Sequence, residues 1–219
     1  MQTSLASFPA GSNTVIGSSP DILRAINDPA VDLAICERRL PADLPSWLEK
    51  LPAQNFPSGR VLVDVDRIEA AVSTMFEIAR TPSDRNGQAL LSDVVFLAQL
   101  FAEIAKIDIV DIRLDAIHHD ACWKFHRDLV ELRMLTTYLG PGTQIVPQHL
   151  SDKALRQQRD FAGALAELPT QAVAIFKGSN DNVRDGVVHR SPPIARSGAH
   201  RFVLCINKIS RASPMQWHA

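Results

Sequence analysis

Two kinds of hydrophobic spacing divide this chain. Ile68, Val72, Met75, Phe76 and Ala79 recur every three to four residues, which predicts an amphipathic helix over about 65–80. Leu90, Leu91, Val94, Val95, Leu97, Ala98, Phe101 and Ile104 predict a second helix, apolar around much of its circumference and so buried on more than one side. From about residue 107 the period changes. Ile107, Ile109, Ile112, Leu114 and Ile117 form a β-type run, followed by runs at Arg133–Leu139, Ala172–Phe176 and Phe202–Ile206. Upstream, Ser19-Pro20-Asp21 marks a helix start and Val31, Leu33 and Ile35 alternate like a strand. Pro41, Pro45, Pro52 and Pro57 leave room for only a short helix around Trp47. The segment 151–168 reads as a helix or insertion carrying Lys153, Arg156 and Arg159.

Short strands between Gly/Pro turns suggest a barrel or double-sheet jelly roll rather than βαβ units. The expected fold is α+β, with four parts: a loose tail over 1–18, a mainly helical part over 19–106, a double-stranded β-helix (cupin-like) core over 107–210, and a tail over 211–219.

Composition narrows the classes. Among 219 residues, Lys+Arg number 23 and Asp+Glu 24, a net charge of -1, which argues against a nucleic-acid or anionic-membrane binder. The three cysteines, Cys36, Cys122 and Cys205, are widely spaced with no CxxC pair, so neither a disulfide framework nor a zinc finger is expected. Met1–Ser12 lacks the basic and apolar regions of a secretory signal, and no run of about 18 apolar residues suggests a membrane span. A cytoplasmic location is the expectation.

The candidate chemistry gathers in the β-rich half. His126-x-Asp128 would present an imidazole and a carboxylate on one face of a strand. His189 follows 63 residues later and is the best third ligand. Two histidines and one carboxylate form the facial triad of non-haem Fe(II) sites, with positions left open. Arg201 opens the last strand, where a guanidinium can bind a carboxylate bidentately, and Arg133 and Tyr138 on the strand after the HxD could assist. Cys122, four residues before His126, would share its face on a strand and approach the same site, where its thiolate would favour zinc; a small buried residue is the simpler reading. Cys36 and Cys205 read as packing.

Other features read more plainly. Gly140-Pro141-Gly142 is a tight turn placing Thr143 and Gln144 near the site mouth, with no helix after it to bind phosphate. Gly178–Asn182 reads as a solvated turn, with a pocket rim as the alternative. His118 and His119 point to opposite faces, and His149, His200 and His218 read as surface histidines. A hydrolase built from Ser191, His189 and Asp128 would lack the G-x-S-x-G elbow.

Four segments carry a family resemblance: Arg113-Leu114-Asp115, Cys122 to Asp128, Arg133 to Thr143, and Val188 to Pro193. They resemble the bacterial domain of unknown function 1826 family, best over about 88–208. That resemblance confers no activity. It implies a link to metal limitation, since genes of the family accompany those of CobW-type GTPases. In the order and spacing of its motifs the chain also resembles Fe(II)/2-oxoglutarate oxygenases. The leading expectation is therefore an Fe(II)-dependent oxygenase using 2-oxoglutarate, on an unknown small-molecule or protein substrate. The alternatives are a non-enzymatic zinc-binding protein of metal homeostasis, with Cys122 as fourth ligand, and an interaction module that binds no metal.

Overall fold

The structure, a computed structural model, describes residues 13–180 and 184–218. Among these, the strands in chain order are β1 (Thr14–Gly17), β2 (Leu33–Cys36), β3 (Gly59–Asp64), β4 (Ile109–Ile117), β5 (Leu132–Leu139) and β6 (Gln144–Ile145). They continue with β7 (Ala166–Glu167), β8 (Val173–Lys177), β9 (Ser179–Asn180), β10 (Arg184–Asp185), β11 (His189–Arg190) and β12 (Arg201–Asn207). The helices are α1 (Leu44–Lys50), α2 (Ile68–Ile78), α3 (Arg85–Ala105) and α4 (Ser151–Gln157).

One seven-stranded sheet in the order β1-β2-β8-β5-β12-β4-β3 organises the described residues. Its pairs are antiparallel except β1 on β2. Each strand alternates between two cores because successive side chains leave opposite faces. Met134 and Tyr138 of β5, Phe202, Leu204 and Ile206 of β12, and Val173 and Ile175 of β8 join α2 and α3 in the main core. Leu135, Val203, Ala174 and Phe176 face the other way, against Ile145 of β6 and Leu168. The main core makes the scaffold; the second face holds the polar cluster described below.

The long helix has local reasons for its limits. Asp84 caps α3 by accepting from the backbone N–H groups of Asn86 (3.0 Å) and Gly87 (2.9 Å), and Lys106 ends it in the left-handed region at φ 53°. By length and composition alone α3 is long and apolar enough to cross a membrane, with a mean hydropathy of 1.4 over its best window, half of which is buried inside the fold. Its Leu90, Val94, Leu97, Ala98 and Phe101 are buried in the main core.

Several strands depart from the sequence reading: β7 lies in the segment read as a helix or insertion, β9 in the loop read as a solvated turn, and β1 and β3 in stretches read otherwise or not at all. The expected tail over 1–18 falls partly outside the described residues, but Thr14–Gly17 pairs in parallel with β2. β3, in the short stretch between Pro57 and the helix expected from about 65, pairs antiparallel along β4 from Gly59↔Leu114 to Asp64↔Ile109. The large sheet therefore takes strands from both sides of residue 106. Ser19 starts the helix at 20 as a side-chain cap, but the turn is a 3-10 helix over Pro20–Asn27. Asp181 and Asn182 of the loop read as a solvated turn lie outside the described residues.

Candidate metal centre

His126 and His189 meet through the backbone before their side chains do. They form an isolated antiparallel bridge, with His126 N–H donating to His189 O (3.0 Å) and His189 N–H donating to His126 O (3.1 Å). The bridge sets the two imidazoles side by side, with ring centroids 4.5 Å apart. The segment is not the strand that the sequence suggests, His126 making only this bridge and Asp128 lying outside any strand, yet Asp128 still returns to the same side. The ligand atoms of His126, Asp128 and His189 all lie within 4.8 Å of one another. His189 Nε2 stands 3.5 Å from Asp128 Oδ2, and His126 Nε2 stands 3.7 Å from Asp128 Oδ1. The His189 and Asp128 side chains are only 4% and 5% exposed, while that of His126 is 35% exposed and opens the cluster to solvent.

The proton positions follow from the partners. His126 Nδ1 lies 2.8 Å from Lys124 O and His189 Nδ1 lies 3.1 Å from Val187 O. A carbonyl only accepts, so each neutral ring carries its proton on Nδ1 and turns the Nε2 lone pair inward. Burial pushes His189 down to about 4, the nearby Asp128 carboxylate only partly offsetting it, so this ring is neutral near pH 7. Asp128 Oδ2 is buried without a hydrogen-bond partner. Lone pairs thus converge with no proton between them, an arrangement that a divalent cation resolves. The donor set of two imidazoles and one carboxylate fits such an ion.

The shifted histidine has a consequence for stability. An imidazole at about 4 in the folded state and about 6.5 unfolded binds fewer protons when folded. The metal-free protein should therefore gain stability as pH rises from about 4 to about 6.5 and hold it above, a contribution on the order of a few kcal/mol. Urea midpoints of metal-free protein across that window, beside those of His189→Asn, measure it. An equal slope in both proteins would refute the assignment.

The cluster lines a cavity of about 1260 Å³ over the second face of the large sheet. Arg201 lies in its wall, 2% exposed. Its Nε donates to Pro141 O (2.8 Å), Nη1 to Ser191 Oγ (2.6 Å), and Nη2 to Thr137 Oγ1 (3.3 Å) and Thr143 Oγ1 (3.2 Å). These acceptors are neutral, and no described carboxylate forms an ion pair with Arg201. Burial pulls its pKa below the ordinary guanidinium value, though the group stays a cation. The Gly-Pro-Gly turn brings Thr143 and Pro141 to it. Gly140, at φ +83°, passes so close to His200 that an added Cβ would lie 2.1 Å from the His200 carbonyl oxygen.

The other residues singled out in the sequence fall elsewhere. Arg133 reaches the site but is engaged by protein, donating through Nη1 to Asp128 Oδ1 and through Nε to Asn207 Oδ1 (2.7 Å). Tyr138 is on the opposite face of the sheet, fully buried, its hydroxyl donating to Asp93 Oδ2 (2.6 Å). Cys122 is exposed, in a turn at φ 52°, and its sulfur is not among the converging ligand atoms. Strand periodicity does not extend back to it, and among the described residues no fourth donor joins the three converging ligand atoms, although Cys122 lines the same cavity. Cys205, read as packing, also faces the cavity. His118 stacks at 5.2 Å on His200, outside the metal cluster. Asp120, in the same polar stretch, accepts from the N–H groups of Ile194 (2.7 Å) and Ala195 (2.8 Å) and ties the two segments together.

The family described as "Protein of unknown function (DUF1826)" matches residues 17–207. No curated protein matches the chain. Among solved structures, the chain is similar to dioxygenase for auxin oxidation 1 from Arabidopsis thaliana, a complex with 2-oxoglutarate, at 14% identity over 92% of each chain with a TM-score of 0.46. It is similar to AviO1 from Streptomyces viridochromogenes at 17% identity, over 92% of this chain and 99% of that one, with a TM-score of 0.41. A Pseudomonas putida prolyl-4-hydroxylase is similar at 11% identity, over 74% and 96%, with a TM-score of 0.37. Scores this low leave the function to be argued from the site's own geometry.

Proposed function

This chain belongs to the DUF1826 family, and from the chemistry of its site we propose a metal-dependent oxygenase in which His126, Asp128 and His189 hold Fe(II) and Arg201 anchors 2-oxoglutarate. The observation that carries the proposal is the convergence of inward lone pairs on one side of Asp128, with Asp128 Oδ2 buried and unpartnered. Arg201 supports the co-substrate half. A desolvated guanidinium ringed by neutral oxygens is stabilised when a carboxylate joins it, which takes the one N–H left on Nη1 and displaces a hydroxyl acceptor for any second bond. Iron with its co-substrate, when bound, supplies the dioxygen chemistry that side chains cannot.

The chain's own residues bind, orient and exclude water. Lys124 O and Val187 O fix the two imidazoles in the ligating tautomer. Ser191, Thr137 and Thr143 fix the guanidinium plane. Leu135 and Val203, on the same face, give the cavity apolar wall between polar groups. In this reading the large sheet and the small sheet β11-β6-β7 are the two halves of a double-stranded β-helix, most of whose strands lie over 107–210, with β1, β2 and β3 extending the large sheet and helices from 19–106 backing it.

The test is anaerobic reconstitution of metal-free protein with Fe(II). One equivalent of metal, and a visible charge-transfer band when 2-oxoglutarate is added, are the expected results. Failure to retain stoichiometric metal would overturn the metal reading. Metal retained without a band or a thermal shift from 2-oxoglutarate would overturn the co-substrate.

A further inference from the structure

The Asp128 carboxylate has one committed oxygen and one unpartnered oxygen. Arg133 Nη1 donates to Oδ1, while Oδ2 has no partner. The guanidinium is itself held: its Nε donates to Asn207 Oδ1 at 2.7 Å, and Asn207 is 4% exposed. Arg133 and Asn207 are directly opposed in the β5–β12 register, so the sheet ladder fixes their spacing. An aspartate carboxylate turns easily about its terminal torsion. An ion pair 5% exposed on the carboxylate side is strong enough to stop that turning.

We propose that Arg133, braced by Asn207, is a positioning residue that makes Asp128 a one-oxygen ligand and so keeps open a metal position that a two-oxygen carboxylate would fill. The proposal rests on the metal triad above. It assigns Arg133 a place behind the metal ligand rather than on the co-substrate. The charge of Arg133 is already matched by Asp128, whereas no described carboxylate forms an ion pair with Arg201.

Mn(II), which binds such donor sets without the oxygen chemistry, serves as probe, and the readout is the number of exchangeable waters on the bound ion by water-proton relaxation. A six-coordinate ion on three protein donors keeps about three waters. Wild-type protein should show about three. In Arg133→Met, Oδ1 is released and the count should drop to about two; Arg133→Lys, which can still donate to Oδ1, should restore about three. A purely structural ion pair would leave the count unchanged in Arg133→Met, and that result overturns the proposal. So does a wild-type count of about two, which needs no variant to fold. If wild-type protein binds no Mn(II), the triad itself fails and the proposal with it. Binding that His189→Ala abolishes, together with an unchanged count in Arg133→Met, removes the positioning role and leaves the triad standing.

Discussion

Alanine at His189 is expected to abolish stoichiometric metal binding while leaving the fold in place. The three donors converge from two distant stretches of chain, and His189 is the most buried imidazole among them. Removing it leaves an imidazole and a carboxylate from one short segment, and the ion loses a third of its protein ligands. The backbone bridge between residues 126 and 189 survives, because it uses main-chain atoms. A metal present at about a hundred times its dissociation constant stabilises a folded protein by about 2.7 kcal/mol. For a chain of this size that corresponds to a rise in Tm of about 5–10 °C. Wild-type protein should show that rise with Mn(II) or anaerobic Fe(II) and lose it on chelation. His189→Ala should show none, and His149→Ala, an exposed residue outside the cluster, should behave as wild type. An undiminished rise in His189→Ala would remove the residue from the site.

Replacement of Arg201 by methionine should separate the two halves of the site. The metal-dependent rise in Tm is expected to remain, and the further rise on adding 2-oxoglutarate is expected to vanish. Losing one partner of a desolvated charge pair costs about 2–5 kcal/mol, so co-substrate affinity should fall by about 30-fold or more. Lysine should not rescue it, since one ammonium cannot reproduce the fork that meets Ser191, Thr137, Thr143 and Pro141. Methionine also leaves four oxygens without this donor, so the retained metal-dependent rise in Tm is the check that the fold is intact. Titration of the metal-loaded proteins with 2-oxoglutarate, followed by Tm, decides the matter. Equal affinity in Arg201→Met and wild type would place the co-substrate elsewhere.

Tyr138 shows where the sequence could have been read further. It stands five residues after Arg133 on one strand, an odd separation, so the two side chains leave opposite faces. Strict counting by two excludes one of them from any shared site, and the structure puts Tyr138 with Asp93 under α3. Cys122 fails for a different reason. The same count by two needs a continuous strand, and a residue at φ 52° breaks it. β1 and β3 were hidden because four residues after a Ser/Gly/Asn stretch, and six residues that begin with Gly59 and Arg60, carry too little alternation to announce a strand. They form because neighbouring strands offer unpaired backbone groups.

The sequence by itself determined the elements and the chemistry on offer. Helical spacing specified α2 and α3, and alternation specified β4, β5, β8 and β12, because burial on one face writes a period into the chain. The His126-x-Asp128 pattern and the lone histidine at 189 were equally legible as residue types. Only the tertiary structure decided which polar groups satisfy one another. Arg133 and Arg201 look alike in sequence, each on a strand and each able to hold a carboxylate. Folding pairs the first with Asp128 and surrounds the second with neutral oxygens. Hydrophobic periodicity is local and survives in one dimension. A partner for a buried charge lies dozens of residues away, and its identity is fixed only when the sheet register is.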